Sequence, residues 1–515
     1  MKLKKNNYLE YIYIFLLGLI TSYSLPPFSY WFLNFFTLSL LFIFLFKRSS
    51  KNFKMFFLYG YIFGFGYFIS SLYWIPFSLS FDENFKYLIP FAIIIIPGFL
   101  SLFYALAFAI FRLCFSDKLI IINILIFSLT LSFLEYLRGN ILSGFPWNLF
   151  AYSFSEKLNF IQINSLIGVY AFNLICITIF CAPSILYLNR NKKNVLGFFL
   201  ILISFFSFYI YGSIKIKNFN NLNTQVLPVN IKVLSSKIPI ERFYSNLDDE
   251  KILIKLINLS DPKLNENTIF IWPEGVIPNI NLRSLKKKYG FLFQKSFTKN
   301  HFIILGINDE ENIDGKKKYY NSLSVIDNNA DVLFKYYKNK LVPFGEFLPL
   351  EILLSKIGLK SLTNNYQSYS SSKERKLFDF GKNMQVKILP LICYEIIYSG
   401  SLINKNDYNF IVNISEDGWF GESIGPHQHF AHTIFRSIEQ GKYTLRSANN
   451  GISAIVSPIG STIGKINIDN DGNISIKEMK ILDETLFSKL GNKIYFLIIL
   501  LYIFLIFSFN RSKND

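Results

Sequence analysis

Long apolar runs fill both ends of the chain, and one long polar stretch separates them. Seven of these runs precede residue 214 and one follows residue 491. Each run is close to the ~20 residues that an α-helix needs to cross a bilayer. The runs predict spans at residues 8–25, 28–46, 53–77, 87–115, 118–138, 162–188, 195–213 and 492–509. The pattern therefore predicts a polytopic α-helical membrane domain, 1–213, and a C-terminal span with a tail, 492–515.

Residues 214–491 show a different pattern, in which short apolar runs alternate with helical segments. The helical patterns cover residues 246–259 and 281–297. The runs typical of buried strands are VNIKVL (229–234), NTIFIW (267–272), HFIILGI (301–307), the hairpin 321–336, VKILPLICYE (386–395) and NFIVNIS (409–415). Strands that alternate with helices indicate an α/β domain with a largely buried sheet.

Lysine and arginine are concentrated in alternate loops between the predicted spans. The second and sixth loops, KRSSKNFK and NRNKKN, are strongly basic, whereas the first and third, SLPPFS and SLSFDENFK, carry one basic residue between them. Basic loops stay on the cytoplasmic side of a membrane. The loop charges therefore place both termini in the cytoplasm and residues 214–491 outside it.

The net charge of +18 raises the question of a nucleic-acid partner. Part of that charge lies in the loops that set the orientation, and the rest is scattered lysine in a chain whose mean hydropathy is +0.32. The sequence carries no nucleic-acid-binding motif, so we expect no such partner.

The external domain contains a single cysteine, Cys393, so no disulfide can form within it. The other three cysteines, Cys114, Cys176 and Cys181, fall in apolar spans, where they are expected to be small core residues. A lone thiol outside the cytoplasm is either buried and inert or kept for chemistry.

Three polar residues stand at or beside the ends of predicted strands: Glu274 in FIWPEG, Lys338 in KYYKNKLVPFGEF and Cys393 in LPLICYE. The ends of strands in α/β folds meet at one edge, where sites form. A thiol needs a base, which Glu274 can supply. A tetrahedral intermediate needs positive charge, which Lys338 can supply.

The order Glu, Lys, Cys with these flanks resembles the nitrilase superfamily, which has an αββα sandwich. The apolar spans narrow the resemblance to the apolipoprotein N-acyltransferase family. The segments that are similar to that family span most of the chain: LRGNILSGFPWNLFAYS, YYKNKLVPFGEFLPLE, ICYEIIYSG, NISEDGWFGESIGPHQH and LRSANNGISAIVSPIG.

The resemblance implies a role for each matching residue. Glu274 is expected to be the general base, Lys338 the triad lysine and Cys393 the nucleophile. Glu346 of VPFGE is expected to orient Lys338 and the base, while Tyr394 and Glu395 shape the site. The chain departs from the family where a tryptophan usually follows the first strand of the domain, since only Phe243 and Tyr244 stand nearby.

The resemblance also implies the reaction and its setting. The expected enzyme is a monomer in the inner membrane with its catalytic domain in the periplasm. It would move an acyl chain from a phospholipid, typically phosphatidylethanolamine, through a thioester on Cys393 to the α-amino group of a diacylated apolipoprotein. No cofactor is expected. His427, His429 and His432 do not fit a standard zinc spacing, so no metal is expected either.

Two other functions compete with this interpretation. A membrane-tethered amidase of the nitrilase type would use the same triad but would not need eight spans. A receptor or transporter would bind a ligand outside the membrane without chemistry. The spans, however, carry few charges, and Glu135 and Arg138 lie near the end of one span, so no ion path is evident.

The loop charges predict the membrane topology directly. Reporter fusions after residues 193 and 513 are expected to report the cytoplasm, and a fusion at residue 260 the outside. Topology-dependent activity of phosphatase and fluorescent-protein fusions measures this. An external signal from the C-terminal fusion would contradict the predicted number of spans.

Overall fold

The computed structural model describes residues 6–81, 83, 85–245, 247–349, 368–400, 402 and 407–511. The side chains of residues 6, 7, 510 and 511 are not among those described. The basic residues that contribute to the orientation at the two ends of the chain, Lys2, Lys4, Lys5 and Lys513, lie outside the described residues.

Nine helices precede the first strand in the described chain. They are α1 (Asn6–Ser22), α2 (Leu33–Lys47), α3 (Phe53–Ser71), α4 (Ile89–Leu113), α5 (Ile120–Asn140), α6 (Leu158–Ile161), α7 (Asn164–Cys181), α8 (Pro183–Leu188) and α9 (Lys192–Asn220). Three further helices belong to the domain that follows: α10 (Asp249–Ser260), α11 (Leu282–Ser296) and α12 (Gly425–Gln440). The chain ends with α13 (Leu486–Leu490) and α14 (Lys493–Arg511).

Apolar helices occupy all eight predicted spans. By length and composition, five segments of the described chain can cross a membrane: Phe53–Ser71, Lys86–Leu113, Ile120–Asn140, Asn164–Leu188 and Lys192–Asn220. The remaining predicted spans are shorter apolar helices, Tyr8–Ser22, Leu33–Lys47 and Lys493–Phe509. The presence of several apolar helices is therefore confirmed, while the count of eight spans stays a prediction.

Close backbone contact holds the first helices together. A Cβ atom on Gly18 of α1 would lie 2.1 Å from the carbonyl oxygen of Phe63, and one on Gly66 of α3 would lie 2.3 Å from that of Phe15. Small residues at such crossings let helices approach where the bilayer gives no hydrophobic driving force. These glycines thus fix the packing of α1 against α3.

The strands of the described chain form two six-stranded sheets. They are β1 (Gln225–Ser235), β2 (Thr268–Ile271), β3 (His301–Ile313), β4 (Lys316–Ile326), β5 (Val332–Tyr337), β6 (Phe378–Asp379), β7 (Lys387–Ile392), β8 (Phe410–Glu416), β9 (Tyr443–Asn449), β10 (Ser453–Val456), β11 (Thr462–Ile466) and β12 (Gly472–Met479). The first sheet has the order β12-β1-β2-β3-β4-β5 and the second β11-β10-β9-β8-β7-β6.

The two sheets pack face to face between layers of helix. Ile231 and Ile271 of the first sheet share a buried apolar core with Ile388 and Ile414 of the second. Helices α10 and α11 cover the outer face of the first sheet. Helix α12 covers the outer face of the second, so the predicted αββα architecture is confirmed.

The outer face of the second sheet and the membrane-type helices share one apolar core. Leu391 of β7 and Phe435 of α12 belong to the same buried cluster as Phe172 of α7. Polar contacts reinforce this junction, because the amide N of Val169 donates to Glu439 Oε1 at 2.9 Å. The α/β domain is therefore packed directly on the helical domain.

The predicted strands and helices of the domain are present, but its last third contains more structure than the sequence suggested. Helix α12 and strands β9 to β12 all lie in segments that the apolar pattern did not resolve. Helix α9 runs to Asn220, past residue 213 where the helical domain was predicted to end. The domain boundaries themselves stay predictions.

Candidate active site

Cys393 stands at a sharp turn where β7 ends. The backbone of Cys393 is left-handed, with φ at +49°, and a short 3-10 turn, Cys393–Ile397, begins there. This conformation is sterically strained for a residue with a Cβ atom. Residues strained in this way are concentrated at functional sites. The side chain is buried, with 8% of the residue exposed. The end of the strand thus delivers the thiol to the predicted position.

Glu274 follows β2 at the matching edge of the other sheet. Its Oε1 accepts a hydrogen bond from Asn321 Nδ2 at 2.7 Å, and its Oε2 accepts one from the amide N of Glu416 at 2.9 Å. Gly306 of β3 allows the close approach, because a Cβ there would lie 2.4 Å from the Cα of Glu274. The carboxylate is buried and held at both oxygens.

Lys338 lies directly after β5 and is almost completely buried. Its Nζ lies 2.8 Å from Glu346 Oε1 and 3.5 Å from Glu274 Oε1. Its amide N donates to the carbonyl oxygen of Asn321 at 3.0 Å. The ammonium group therefore sits between two carboxylates, which offset the cost of burying it.

The electrostatics of the three groups depend on one another. Burial raises the pKa of Glu274 above its ordinary value of 4.5, although Lys338 opposes the shift. Burial alone would lower the pKa of Lys338, but the charges of Glu346, Glu274 and Cys393 outweigh it and hold that pKa well above the ordinary range. Burial and the nearby Glu274 charge raise the pKa of Cys393, and Lys338 opposes this.

The directions of these pKa shifts indicate which chemistry the site can perform. The Cys393 thiol stays protonated at neutral pH, so its reaction needs a proton acceptor in place. A carboxylate with a raised pKa is a stronger base than an ordinary one. The arrangement of thiol, carboxylate and ammonium can therefore generate a nucleophile and stabilise an oxyanion.

Glu346 lies beside Lys338, and its predicted role in orienting that lysine stays a prediction. Besides Lys338 Nζ, its Oε1 accepts from Asn321 Nδ2 at 2.8 Å, and its Oε2 accepts from the amide N of Val342 at 2.8 Å. Asn321 therefore bridges Glu346 and Glu274. No sequence pattern indicated Asn321, because one amide within a strand of mixed polarity carries no signal of its own.

Glu395 joins the lysine segment to the cysteine turn. Its carboxylate accepts from Tyr336 Oη at 2.7 Å and 2.9 Å, from the amide N of Asn339 at 2.9 Å and from the amide N of Ile392 at 2.8 Å. It is fully buried, and Arg375 Nη2 lies 3.6 Å away. Glu395 thus fixes the spacing between β5 and β7.

Tyr394 points away from the lysine and toward the helical domain. Its hydroxyl donates to the carbonyl oxygen of Gly144, in the loop after α5, at 2.7 Å. The predicted supporting residues therefore divide into two groups, since Glu346 and Glu395 bind parts of the catalytic domain to each other and Tyr394 binds the domain to the helices.

A second polar network lies behind Cys393. Arg446 Nη2 donates to Asp417 Oδ2 at 2.7 Å, and His429 Nδ1 lies 3.0 Å from Asp417 Oδ1. Asn413 Nδ2 donates to the carbonyl oxygen of Cys393 at 3.4 Å. His429 is thus part of a buried ion network, and the histidine-rich segment was its only sign in the sequence.

The position of the missing family tryptophan is flanked by other aromatic rings. The Phe243 ring centroid lies 5.1 Å from that of Trp419, and the Tyr244 centroid lies 6.3 Å from it. A Cβ on Gly275, next to Glu274, would lie 3.0 Å from the Phe243 ring. Phe243 therefore packs directly beside the predicted base.

Replacing Asn321 with alanine is expected to raise the pKa of Glu274 further, because the hydrogen bond from Asn321 favours the ionised carboxylate. Cys393 reacts when Glu274 is ionised and can take its proton. The rate of Cys393 alkylation by iodoacetamide should therefore fall as the pH drops through the pKa of Glu274. Mass spectrometry of the Cys393 peptide measures the rate across the acidic range.

The midpoint should lie above 4.5 in the unsubstituted protein and at a higher pH in Asn321→Ala. Asn473→Ala is the control, because Asn473 Nδ2 donates to the carbonyl oxygen of Leu259 on the far edge strand β12. An equal midpoint in Asn321→Ala and the control would contradict this account of the base.

Two family profiles match the chain, one in each of its domains. The profile of the apolipoprotein N-acyltransferase N-terminal domain matches residues 17–182, and the carbon-nitrogen hydrolase profile matches residues 245–481. Among solved structures, an amidase from Nesterenkonia sp. AN1 is 10% identical and covers 51% of this chain and 95% of its own, with a TM-score of 0.32.

Curated relatives match nearly the whole chain. The apolipoprotein N-acyltransferase of Rhodopseudomonas palustris is 31% identical over 499 residues, which cover 92% of this chain and 90% of the relative. That of Rickettsia prowazekii is 32% identical over 472 residues, which cover 88% of this chain and 91% of the relative. Together with its helical domain and its nitrilase-like domain, these matches show that the chain belongs to the apolipoprotein N-acyltransferase family.

Proposed function

We propose that this acyltransferase carries the acyl chain as a thioester on Cys393, between a membrane phospholipid and the N-terminal diacylglyceryl-cysteine of an apolipoprotein. The observation that carries the proposal is the placement of Lys338 Nζ 3.5 Å from Glu274 Oε1, where both charges act on the pKa of the Cys393 thiol. The fully buried Glu395 joins the lysine and cysteine segments.

In the first half-reaction, Glu274 takes the proton from the Cys393 thiol. The sulfur attacks the ester carbonyl carbon of the phospholipid, and the carbonyl oxygen becomes an oxyanion. Lys338 stabilises that negative charge. The C–O bond to the glycerol then breaks, the departing oxygen takes the proton from Glu274, and a lysophospholipid leaves.

In the second half-reaction, the α-amino group of the diacylated cysteine attacks the thioester carbonyl carbon. Glu274 takes a proton from the amine, and Lys338 stabilises the new oxyanion. The C–S bond breaks, the Cys393 thiolate regains a proton from Glu274, and an amide is released. Glu346 holds Lys338 in place through both steps.

Exposed apolar side chains in both domains favour a donor and an acceptor that are bound to the membrane. Phe344, six residues after Lys338, is half exposed, and Leu142, two residues before Gly144, is 74% exposed. Apolar side chains that stay exposed beside a site are suited to lipid contact. We propose phosphatidylethanolamine as donor and a monomer in the inner membrane, with the catalytic domain in the periplasm.

Replacing Cys393 with alanine or serine should abolish acyl transfer while the protein still folds. The motive is that Cys393 alone among the cysteines lies in the catalytic domain. Mass spectrometry of Cys393 after incubation with phospholipid should show an added acyl chain in the unsubstituted protein. Transfer at the normal rate by Cys393→Ala would end the thioester proposal, and hydrolysis of small amides without acyl transfer would favour an amidase.

Single-turnover kinetics should distinguish the role of Glu274 from that of Lys338. Glu274→Gln is expected to block formation of the thioester, because no base takes the thiol proton. Lys338→Ala should slow both half-reactions by roughly 10²–10³-fold, as loss of one oxyanion-stabilising group does. Thioester formation is followed first, then its discharge to a diacylated peptide. Normal rates for Lys338→Ala in both steps would reduce the lysine to a structural role.

A further inference from the structure

The loop between α5 and the short 3-10 turn Phe150–Phe154 contacts the catalytic domain. We call residues 141–149 the docking loop. Leu142, Ser143 and Gly144 are consecutively left-handed, with φ of +52°, +74° and +76°. Two of them have a Cβ atom, so the conformation costs energy that other contacts must offset. Contacts with the catalytic domain on one side and with α5 on the other stabilise this strained conformation.

On the side of the catalytic domain, the docking loop receives two tyrosine hydroxyls. Tyr394 Oη donates to the carbonyl oxygen of Gly144 at 2.7 Å, and Tyr398 Oη donates to that of Ser143 at 2.7 Å. Tyr394 lies within the short turn Cys393–Ile397, next to Cys393, and Tyr398 follows that turn directly. The position of the docking loop therefore bears directly on the turn that carries the thiol.

On the side of the helices, the docking loop is held by Arg138 near the end of α5. Its Nη1 donates to the carbonyl oxygen of Phe145 at 2.5 Å and its Nη2 to that of Asn148 at 3.4 Å. The backbone closes the same contact, because the amide N of Phe145 donates to the carbonyl oxygen of Arg138 at 2.8 Å. Arg138 thus makes three hydrogen bonds to the docking loop, two through its side chain and one through its backbone carbonyl.

Arg138 is itself fixed by an acidic partner. Glu135 Oε1 lies 3.9 Å from Arg138 Nη2, and both side chains are completely buried. Tyr104 Oη, from α4, donates to the same Glu135 oxygen at 2.7 Å. An arginine and a glutamate within an apolar helix are costly, and such residues generally serve a function.

We propose that Arg138 is a positioning residue for acyl transfer, which acts through the docking loop and the Tyr394 and Tyr398 hydroxyls to set the orientation of Cys393. The inference rests on the proposed role of Cys393 as the nucleophile. A series of contacts runs from the Glu135–Arg138 ion pair to the docking loop through the hydrogen bonds of Arg138, and from the docking loop to the cysteine turn through the two tyrosine hydroxyls. The membrane-type helices therefore contribute to the contacts that orient the Cys393 thiol.

The first test removes single hydroxyls in the full-length protein. Tyr398→Phe should lower the maximal rate of Cys393 acylation about tenfold, because a buried carbonyl loses its partner and the turn loses a restraint. The concentration of phospholipid that gives half the maximal rate should stay the same. A soluble short-chain ester should show the same loss, since the defect lies in the thiol and not in lipid binding.

Tyr502→Phe is the matched control. Tyr502 is also a buried tyrosine, but its hydroxyl pairs with Thr178 at 2.8 Å, away from the docking loop. Thermal unfolding of each variant is recorded, and rates are compared well below the unfolding temperature. Equal rates for Tyr398→Phe and Tyr502→Phe would overturn the inference. Absence of acyl-Cys393 in the unsubstituted protein would instead overturn the proposed function.

The second test asks whether Arg138 acts through the docking loop. Arg138→Lys keeps a positive charge near Glu135 but replaces the two guanidinium nitrogens that bind Phe145 and Asn148 with one ammonium nitrogen on a different stem, so acylation should slow by a similar factor. The double variant Arg138→Lys/Tyr398→Phe should be no slower than the slower single variant, because both changes break one series of contacts. If the rate loss of the double variant equals the product of the two single losses, Arg138 acts independently of Tyr398, and the inference is overturned.

Tyr104→Phe gives a milder change if Arg138→Lys does not fold. It removes only the hydroxyl that donates to Glu135, and it should slow acylation in the same direction by a smaller factor. A rate equal to that of Tyr502→Phe would overturn the part of the inference that starts at the ion pair.

Discussion

One buried ammonium between two buried carboxylates is the constraint on which the active site depends. Moving a charge out of water costs several kcal/mol per ion unless partners and hydrogen bonds replace the water. Lys338 meets this requirement only because Glu274 and Glu346 stand within 3.5 Å of its Nζ. If either carboxylate moved away, Lys338 would lose one of the two groups that replace water around its buried charge. The surrounding structure is therefore organised to keep these groups in place.

Both sheets contribute to that organisation. Glu274 follows β2 of the first sheet, while the amide that holds its second oxygen belongs to Glu416 of β8 in the second. Asn321, on β4, ties Glu274 to Glu346. Closing the sandwich brings the base, the lysine and the thiol together. The apolar core between the sheets thus acts on the chemistry as well as on stability, because a shift of one sheet against the other would separate the charges.

The sequence predicted those parts of the structure that leave a simple pattern. Apolar runs identified the long helices of the membrane-type domain and most of the described strands, and the lone cysteine marked the end of β7. Glu346 and Glu395 were reached only through the family resemblance, since a glutamate in a loop has no pattern. Strand β9 was missed because its buried residues include polar ones such as Arg446, which disguise it as a surface segment. The direction in which Tyr394 points depends on tertiary contacts that no local pattern encodes.

The last helix has a consequence for how the protein is made. Tyr495 of α14 pairs with Ser132 of α5 at 3.2 Å, and Tyr502 pairs with Thr178 of α7 at 2.8 Å. Because a chain emerges from the ribosome starting at its N-terminus, α14 appears only after the whole α/β domain has been synthesised. The helical bundle must therefore wait, with the faces of α5 and α7 unfilled, until the domain has been made. Biogenesis then proceeds in a fixed order, in which the final helix closes a bundle that began to assemble hundreds of residues earlier.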